Sequence, residues 1–276
     1  MSPVRSRALL AGAVLLAAAA LPMSAQAQAD VAAAPAGAIP ADIAQAVAAA
    51  TRAPDNVRRD RYRHPAETLA FFGVTGGQTV LEYFPAGGWY LEILAPLAAQ
   101  GGGTYIAAQP AGRYREQTQA KIQSNTALYS GAKLVDWPAG EAVPGDSVDT
   151  VLTFRNVHNM VMGDSAAATF AEFFRVLKPG GVLGVVDHRL PEDRDSALER
   201  SSGYLKVSTV RRLAEEAGFV LDASAEINAN PKDSADWSKG VWTLPPTLTE
   251  GDTNREQYLA VGESDRMTLR FRKPAG

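Results

Sequence analysis

From residue 79 onward, strand-length apolar runs alternate with stretches of helical period, and this alternation constrains the fold more than any other feature of the chain. Such a rhythm predicts βαβ units, in which helices cover both faces of a mostly parallel sheet. Residues 79–84 read as the first strand and 89–99 as a helix, with Pro96 placed to distort it and Gly101, Gly102 and Gly103 to break it. Strands are predicted at 104–108, 133–137, 150–154 and 182–186, and a polar helix at 113–124. Asp164 or Ser165 can cap a helix in which Phe170, Phe173, Phe174 and Leu177 recur on one face, and the Lys-Pro-Gly-Gly run at 178–181 stops it. Ser208 can cap a further helix through Ala217. Near the end, Met267, Leu269 and Phe271 alternate with Thr268, Arg270 and Arg272, which is the period of a strand with unequal faces and suits an antiparallel position. The fold class is therefore α/β, a doubly wound and mostly parallel sheet, with one domain over 57–276.

The N-terminus is of a different kind. Arg5 and Arg7 precede an unbroken small and apolar run at 8–21, Pro22 ends it, and small-x-small sites follow at 25–27 and 27–29. This is the pattern of a cleaved signal peptide over 1–29, and it predicts an exported protein, periplasmic or secreted, with no stable membrane span after cleavage. Residues 30–56 are rich in Ala and Pro and read as a linker or arm containing one short helix from Pro40. Loss of 1–29 removes two arginines and no acid, shifting the formal charge from −3 to about −5. A mildly acidic surface argues against nucleic acid as a partner, because binding phosphates requires a basic face. The lack of cysteine excludes thiol catalysis and thiolate metal sites. The positive run at 58–65 reads either as a solvated face or as an arm over an anionic ligand.

Ligands of doubly wound sheets bind beyond the carboxyl ends of the strands, near the switch in strand order. After the first strand, Glu82 is followed by Pro85-Ala86-Gly87-Gly88, a turn that opens a helix and lets backbone amides approach a ligand. The fourth strand runs into Arg155, Asn156 and His158, and the fifth into Asp187, His188 and Arg189. Two of the three histidines thus stand at predicted strand ends.

Val80-Leu81-Glu82 before the glycine turn, the Asp149-Thr-Val-Leu run and the Leu177-Lys-Pro-Gly-Gly-Val-Leu run together resemble class I S-adenosylmethionine-dependent methyltransferases. More narrowly, the stretch from Arg63-His-Pro through the Glu82 turn to Trp89-Tyr90, with the closing Arg-Phe-Arg-Lys-Pro, is similar to a family of exported predicted methyltransferases. The resemblance implies a Rossmann-like, seven-stranded sheet whose last strand is antiparallel. It also implies S-adenosylmethionine as cofactor, with Pro85, Ala86, Gly87 and Gly88 around its methionine end and Glu82 orienting it. Gln109 falls where the family usually grips the ribose hydroxyls, Asp136 would lie near the adenine, and Arg155, Asn156 and His158 would face the methyl and a small-molecule acceptor. The broader superfamily usually has glycine two, four and six residues after the acid; here those residues are Phe84, Ala86 and Gly88.

His158 is the candidate base, since histidine exchanges a proton near neutrality. Two rival readings stand beside this one. An exported non-catalytic binding protein could use Arg155, Arg189 and the 58–63 cluster to hold an anionic metabolite, because S-adenosylmethionine is made in the cytoplasm. A metal-assisted enzyme could use Asp187, His188, His158 and Asp136, although no local ligand spacing supports a metal. The segment 228–256, with Trp237 and Trp242, reads as a structural excursion or a cover over the crevice.

Overall fold

The computed structural model describes residues 37–276; the expected signal peptide at 1–29 and the first part of the expected arm lie outside the described residues. Four short helices come first: α1 (Ala41–Val47), α2 (Pro54–Val57), α3 (Asp60–Arg63) and α4 (Pro65–Phe72). The alternating part follows as β1 (Thr79–Tyr83), α5 (Leu91–Gly101), β2 (Thr104–Gln109), α6 (Arg113–Ser124), β3 (Ala132–Asp136) and β4 (Val148–Phe154). Then come α7 (Val157–Met162), α8 (Ala166–Val176), β5 (Leu177–His188), α9 (Val207–Glu216), β6 (Val220–Ala225), α10 (Arg255–Val261) and β7 (Arg266–Arg272). Among the described residues no helix is long and apolar enough to cross a membrane.

The seven strands form one sheet in the order β3-β2-β1-β4-β5-β7-β6. β1 pairs in parallel with both β2 and β4, while β7 inserts antiparallel between β5 and β6. The order therefore reverses between β1 and β4, so their carboxyl ends diverge into a crevice. This is the Rossmann-like methyltransferase fold, with the final strand antiparallel as expected.

Because side chains alternate along a strand, each central strand feeds two cores. Leu81, Ile106, Val151, Leu183 and Leu269 face Phe170, Phe173, Val210 and Leu213 on one side. Val80, Tyr105, Leu152 and Val186 face Leu69, Phe72, Ile93 and Leu97 on the other. Gly184 of β5 is required by that second contact: a Cβ there would stand 2.8 Å from both Phe72 and Leu152 side-chain atoms, so the glycine lets α4 lie directly on the sheet. Ile43 of α1 is fully buried in the same core, which fastens the arm to α4 and α5.

Three local expectations differ. Ser165 occupies the N-cap of α8 but makes no side-chain capping bond. The N-cap of α9 is Lys206, and Ser208 lies inside the first turn with its hydroxyl donated to Glu192 at 2.6 Å. The Lys-Pro-Gly-Gly run does not end a helix in a free turn but opens β5, because Leu177 already pairs with Val148 before the register shifts ahead of Thr150. Pro96 remains inside α5 without ending it.

Candidate active site

A cavity of about 580 Å³ opens at the diverging ends of β1 and β4. Its size is that of a small-molecule site. One wall is the turn after β1. There Phe84, Ala86 and Gly88 all have positive φ, at 54°, 50° and 74°. These are the positions where the superfamily pattern has glycine, so the turn keeps the left-handed path although two side chains occupy it. Each non-glycine residue held there costs on the order of 1–2 kcal/mol, which the surroundings must offset.

The bonds that offset it come from β2, α6 and β4. Phe84 N donates to Ala108 O at 2.8 Å. Gln109 is fully buried; its Oε1 accepts from Ala86 N at 3.2 Å and its Nε2 donates to Thr118 Oγ1 at 3.0 Å, while Thr118 donates to Ala86 O at 2.9 Å. Asn156 donates to the carbonyls of Tyr83 and Phe84, tying the β4 loop to the same turn.

Glu82 lines the cavity and is buried, with one carboxyl oxygen accepting from Tyr105 Oη at 2.5 Å. Burial, only partly opposed by that bond, raises its pKa to about 8. Glu82 is thus protonated at neutral pH, and a cation placed beside it would favour the carboxylate.

The opposite wall is built by β4, α7 and β5. His158, in the first turn of α7, donates from its backbone N to Asp187 Oδ2 at 3.1 Å, and its Nδ1 lies 2.8 Å from Asp187 Oδ1. The carboxylate can only accept, so Nδ1 carries the proton and Nε2 carries the lone pair. The ring lines the cavity, and Nε2 has no protein partner among the described residues. His188 stands 5.0 Å away, ring to ring, with Nδ1 2.5 Å from Ser264 Oγ and Nε2 accepting from Arg155 Nε at 3.4 Å. Burial first, then the positive charges of Arg155, Arg266 and Arg63 and the neighbouring His158, push the His188 pKa well down, so this ring is neutral. His158, Asp187 and His188 are close enough to share a metal ion, but Arg155 against His188 is a poor neighbour for a dication.

The structure therefore brings Glu82, Pro85, Ala86, Gly87, Arg155, Asn156 and His158 to one cavity. Gly88, Gln109 and Asp136 do not line it. A Cβ on Gly88 would meet the Lys121 chain at 2.9 Å, Gln109 is spent on the turn, and Asp136 lies exposed in an ion pair with Arg115. Sequence reasoning passed over Asp187 as the partner of His158, and also Tyr90 and Phe154 as lining residues. Tyr90 and Phe154 stack at 3.6 Å, and the edge of Trp242 meets His158 at 6.2 Å, so the 228–256 excursion does cover part of the crevice.

Residues 85–185, from the β1 turn through most of β5, match the family model described as a methyltransferase domain. Over that span the chain is similar to methyltransferase domains. The acid-and-turn wall at Glu82 fits the cationic methionine end of S-adenosylmethionine, the cofactor that the resemblance implies. A SAM-dependent methyltransferase from Aquifex aeolicus shares the fold with a TM-score of 0.55 at 16% identity, over 78% of this chain and 92% of that one. The [4+2]-cyclase SpnF shares it with a TM-score of 0.51 at 16% identity, over 76% of this chain and 79% of that one. No curated protein matches at the level of sequence.

Proposed function

We propose that this domain transfers a methyl group from S-adenosylmethionine to a small-molecule acceptor, with His158 as general base. The observation that carries the reading is that the oriented His158–Asp187 pair and the Glu82 turn open into the same cavity. The cofactor supplies an electrophilic methyl on a sulfonium. Glu82 and the Pro85–Ala86–Gly87 turn would hold its methionine end, the carboxylate form of Glu82 matching the ammonium. Arg155 and Asn156 would position the acceptor side, Asn156 through its hold on the β1 turn. His158 Nε2 would take the proton from an acceptor hydroxyl or ammonium as the new bond to carbon forms and the sulfur–methyl bond breaks. Base catalysis of this kind contributes about 10²–10⁴-fold, and alignment of the two reactants supplies much of the remainder.

The N-terminal leader over 1–29 supports export, so we propose that the domain acts outside the cytoplasm. A second reading, an exported binding protein on the same fold, is favoured by one observation. Gln109 has both amide ends engaged and Asp136 faces solvent, which leaves the ribose and adenine positions without the grip that the resemblance implies. A fold shared with a cyclase as well as a methyltransferase also leaves the reaction to be argued from the site.

Isothermal calorimetry on the purified protein separates the two. S-adenosylhomocysteine and S-adenosylmethionine are expected to bind in the micromolar range. Absence of heat at millimolar ligand would leave the binding-protein reading in possession.

A further inference from the structure

The far end of the same cavity is strongly cationic. Arg59 and Arg63, carried by the α2–α4 arm, line it together with Arg155, and Arg266 of β7 stands behind them. One carboxylate serves this group. Glu263 lies 2.6 Å from Arg59 Nε, 3.1 Å from Arg63 Nε and 3.2 Å from Arg266 Nη1. Three guanidinium groups therefore share a single acid, and Arg155, which feels Glu263 and Asp187 only from beyond pairing distance, forms no ion pair among the described residues.

The imbalance extends to individual hydrogen-bond donors. Arg63 is only 7% exposed, lines the cavity, and leaves its Nη2 without a partner; Arg59 Nη2 is likewise buried and unsatisfied. Buried charged donors of this kind are costly unless something accepts from them. Other arginines of the cationic run are already answered or point elsewhere: Arg58 pairs with Asp55, Arg61 lies over Tyr62, and Arg189 is held by Asp265 and Glu226. Burial and mutual repulsion, against the pull of Glu263, lower the Arg155 pKa to about 10, which still leaves it charged at neutral pH. Arg155 also sits at φ 62°, a left-handed conformation that is strained for this residue and that is held by its N–H to Val186 O at 2.7 Å.

We propose that Arg59, Arg63 and Arg155 form a seat for an oxyanion, a carboxylate or phosphate, on the acceptor, which places the acceptor's nucleophile beside His158. The assignment rests on the methyltransferase reading. Its geometry follows from Arg155, which contacts His188 at 3.4 Å while His188 packs 5.0 Å from His158, so the cationic seat and the base are neighbours. The acceptor is thus a small organic anion. The same chemistry would also suit the cofactor's own carboxylate, and the test separates the two sources.

Calorimetry on the protein saturated with S-adenosylhomocysteine, titrated with malonate and with inorganic phosphate, reads the seat directly. At least one anion is expected to bind, more weakly as salt is raised. Arg155→Gln should weaken that binding tenfold or more while changing S-adenosylhomocysteine affinity less than twofold, and Arg155→Lys should fall between. Arg155 has no acid partner to strand, so both variants should melt close to the parent protein; should Arg155→Gln not fold, the parent protein and Arg155→Lys carry the test. If neither anion binds the loaded protein, the proposal fails and the methyltransferase reading stands. If Arg155→Gln costs S-adenosylhomocysteine tenfold but leaves 5′-methylthioadenosine, which lacks the amino-acid end, untouched, the arginines hold the cofactor and the acceptor assignment is wrong. If S-adenosylhomocysteine does not bind at all while an anion binds in an Arg155-dependent way, the methyltransferase reading fails and the seat survives as that of a binding protein.

Discussion

His158 is held by two bonds to one carboxylate, through its backbone and through Nδ1, so Asp187 sets both the position of the ring and its tautomer. Nitrogen-15 shifts of the His158 ring should report Nδ1 protonation in the parent protein, and Asp187→Asn should abolish that preference while leaving His188, tied to Ser264, unchanged. A His158 ring still locked in the same tautomer without the carboxylate would remove Asp187 from the mechanism. Glu82 makes a second prediction. Its pKa is raised to about 8 by burial, against the bond from Tyr105, so the free protein carries it protonated at neutral pH. The ammonium end of S-adenosylhomocysteine favours the carboxylate, so binding releases a proton. Affinity should rise with pH, by up to about tenfold per unit, and level off near the Glu82 pKa of about 8. Titrations in two buffers of different ionisation enthalpy measure the proton directly, and Glu82→Gln should erase the release. An affinity that is flat from pH 6 to 8 would place the ammonium elsewhere.

At the scale of elements, the arm before the sheet has two tasks. Its first helix, α1, is too short to be stable alone, and its place depends on tertiary packing. Ile43 provides that packing by burying its whole side chain against the α4 and α5 core. Ile43→Ala should cost about 2–4 kcal/mol in urea unfolding, the range for a truncated buried aliphatic. A loss below about 0.5 kcal/mol, the size of an ordinary surface change, would mean that the arm is not fastened there. The following helices carry Arg59 and Arg63 to the cavity, while Arg52 is held by Asp60 and the Val47 carbonyl. Arg52 and Arg63 lie against Trp89 at 5.2 and 4.9 Å, so the arm is registered on the residue that follows the glycine turn. Sequence reading left residues 30–56 as a linker or arm because two buried side chains in a seven-residue helix give no readable period. It left 58–65 between a solvated face and a ligand arm because charge density alone does not reveal which side faces the protein.

Across the whole molecule, Glu263 joins the two ends of the domain, meeting Arg59 and Arg63 from about 200 positions away. Burial alone would raise its pKa, but Arg63, Arg266 and Arg59 outweigh burial and hold it at about 2. Its folded pKa is thus depressed below the ordinary carboxyl value of 4.5, so the stabilisation is complete above that value and is lost as the pH falls from about 4.5 through about 2. Glu263→Gln should remove this acid-sensitive component and destabilise the protein by about 3–5 kcal/mol at neutral pH, since it strands three arginines in the interior. Urea unfolding of both proteins between pH 3 and 7 checks it, and equal stabilities at neutral pH would show that the cluster is relieved some other way. What the sequence by itself determined is local: the alternation of periods specified the elements, the doubly wound class and the strand ends at Glu82, Arg155 and Asp187 where chemistry sits, because periodicity and turn residues act over a few positions. The tertiary structure alone decided which strand ends face one cavity, that Gln109 braces the β1 turn, that Asp187 serves His158, and that three arginines share one acid. Those outcomes depend on desolvation and on partners far apart in the chain, and no local pattern records either.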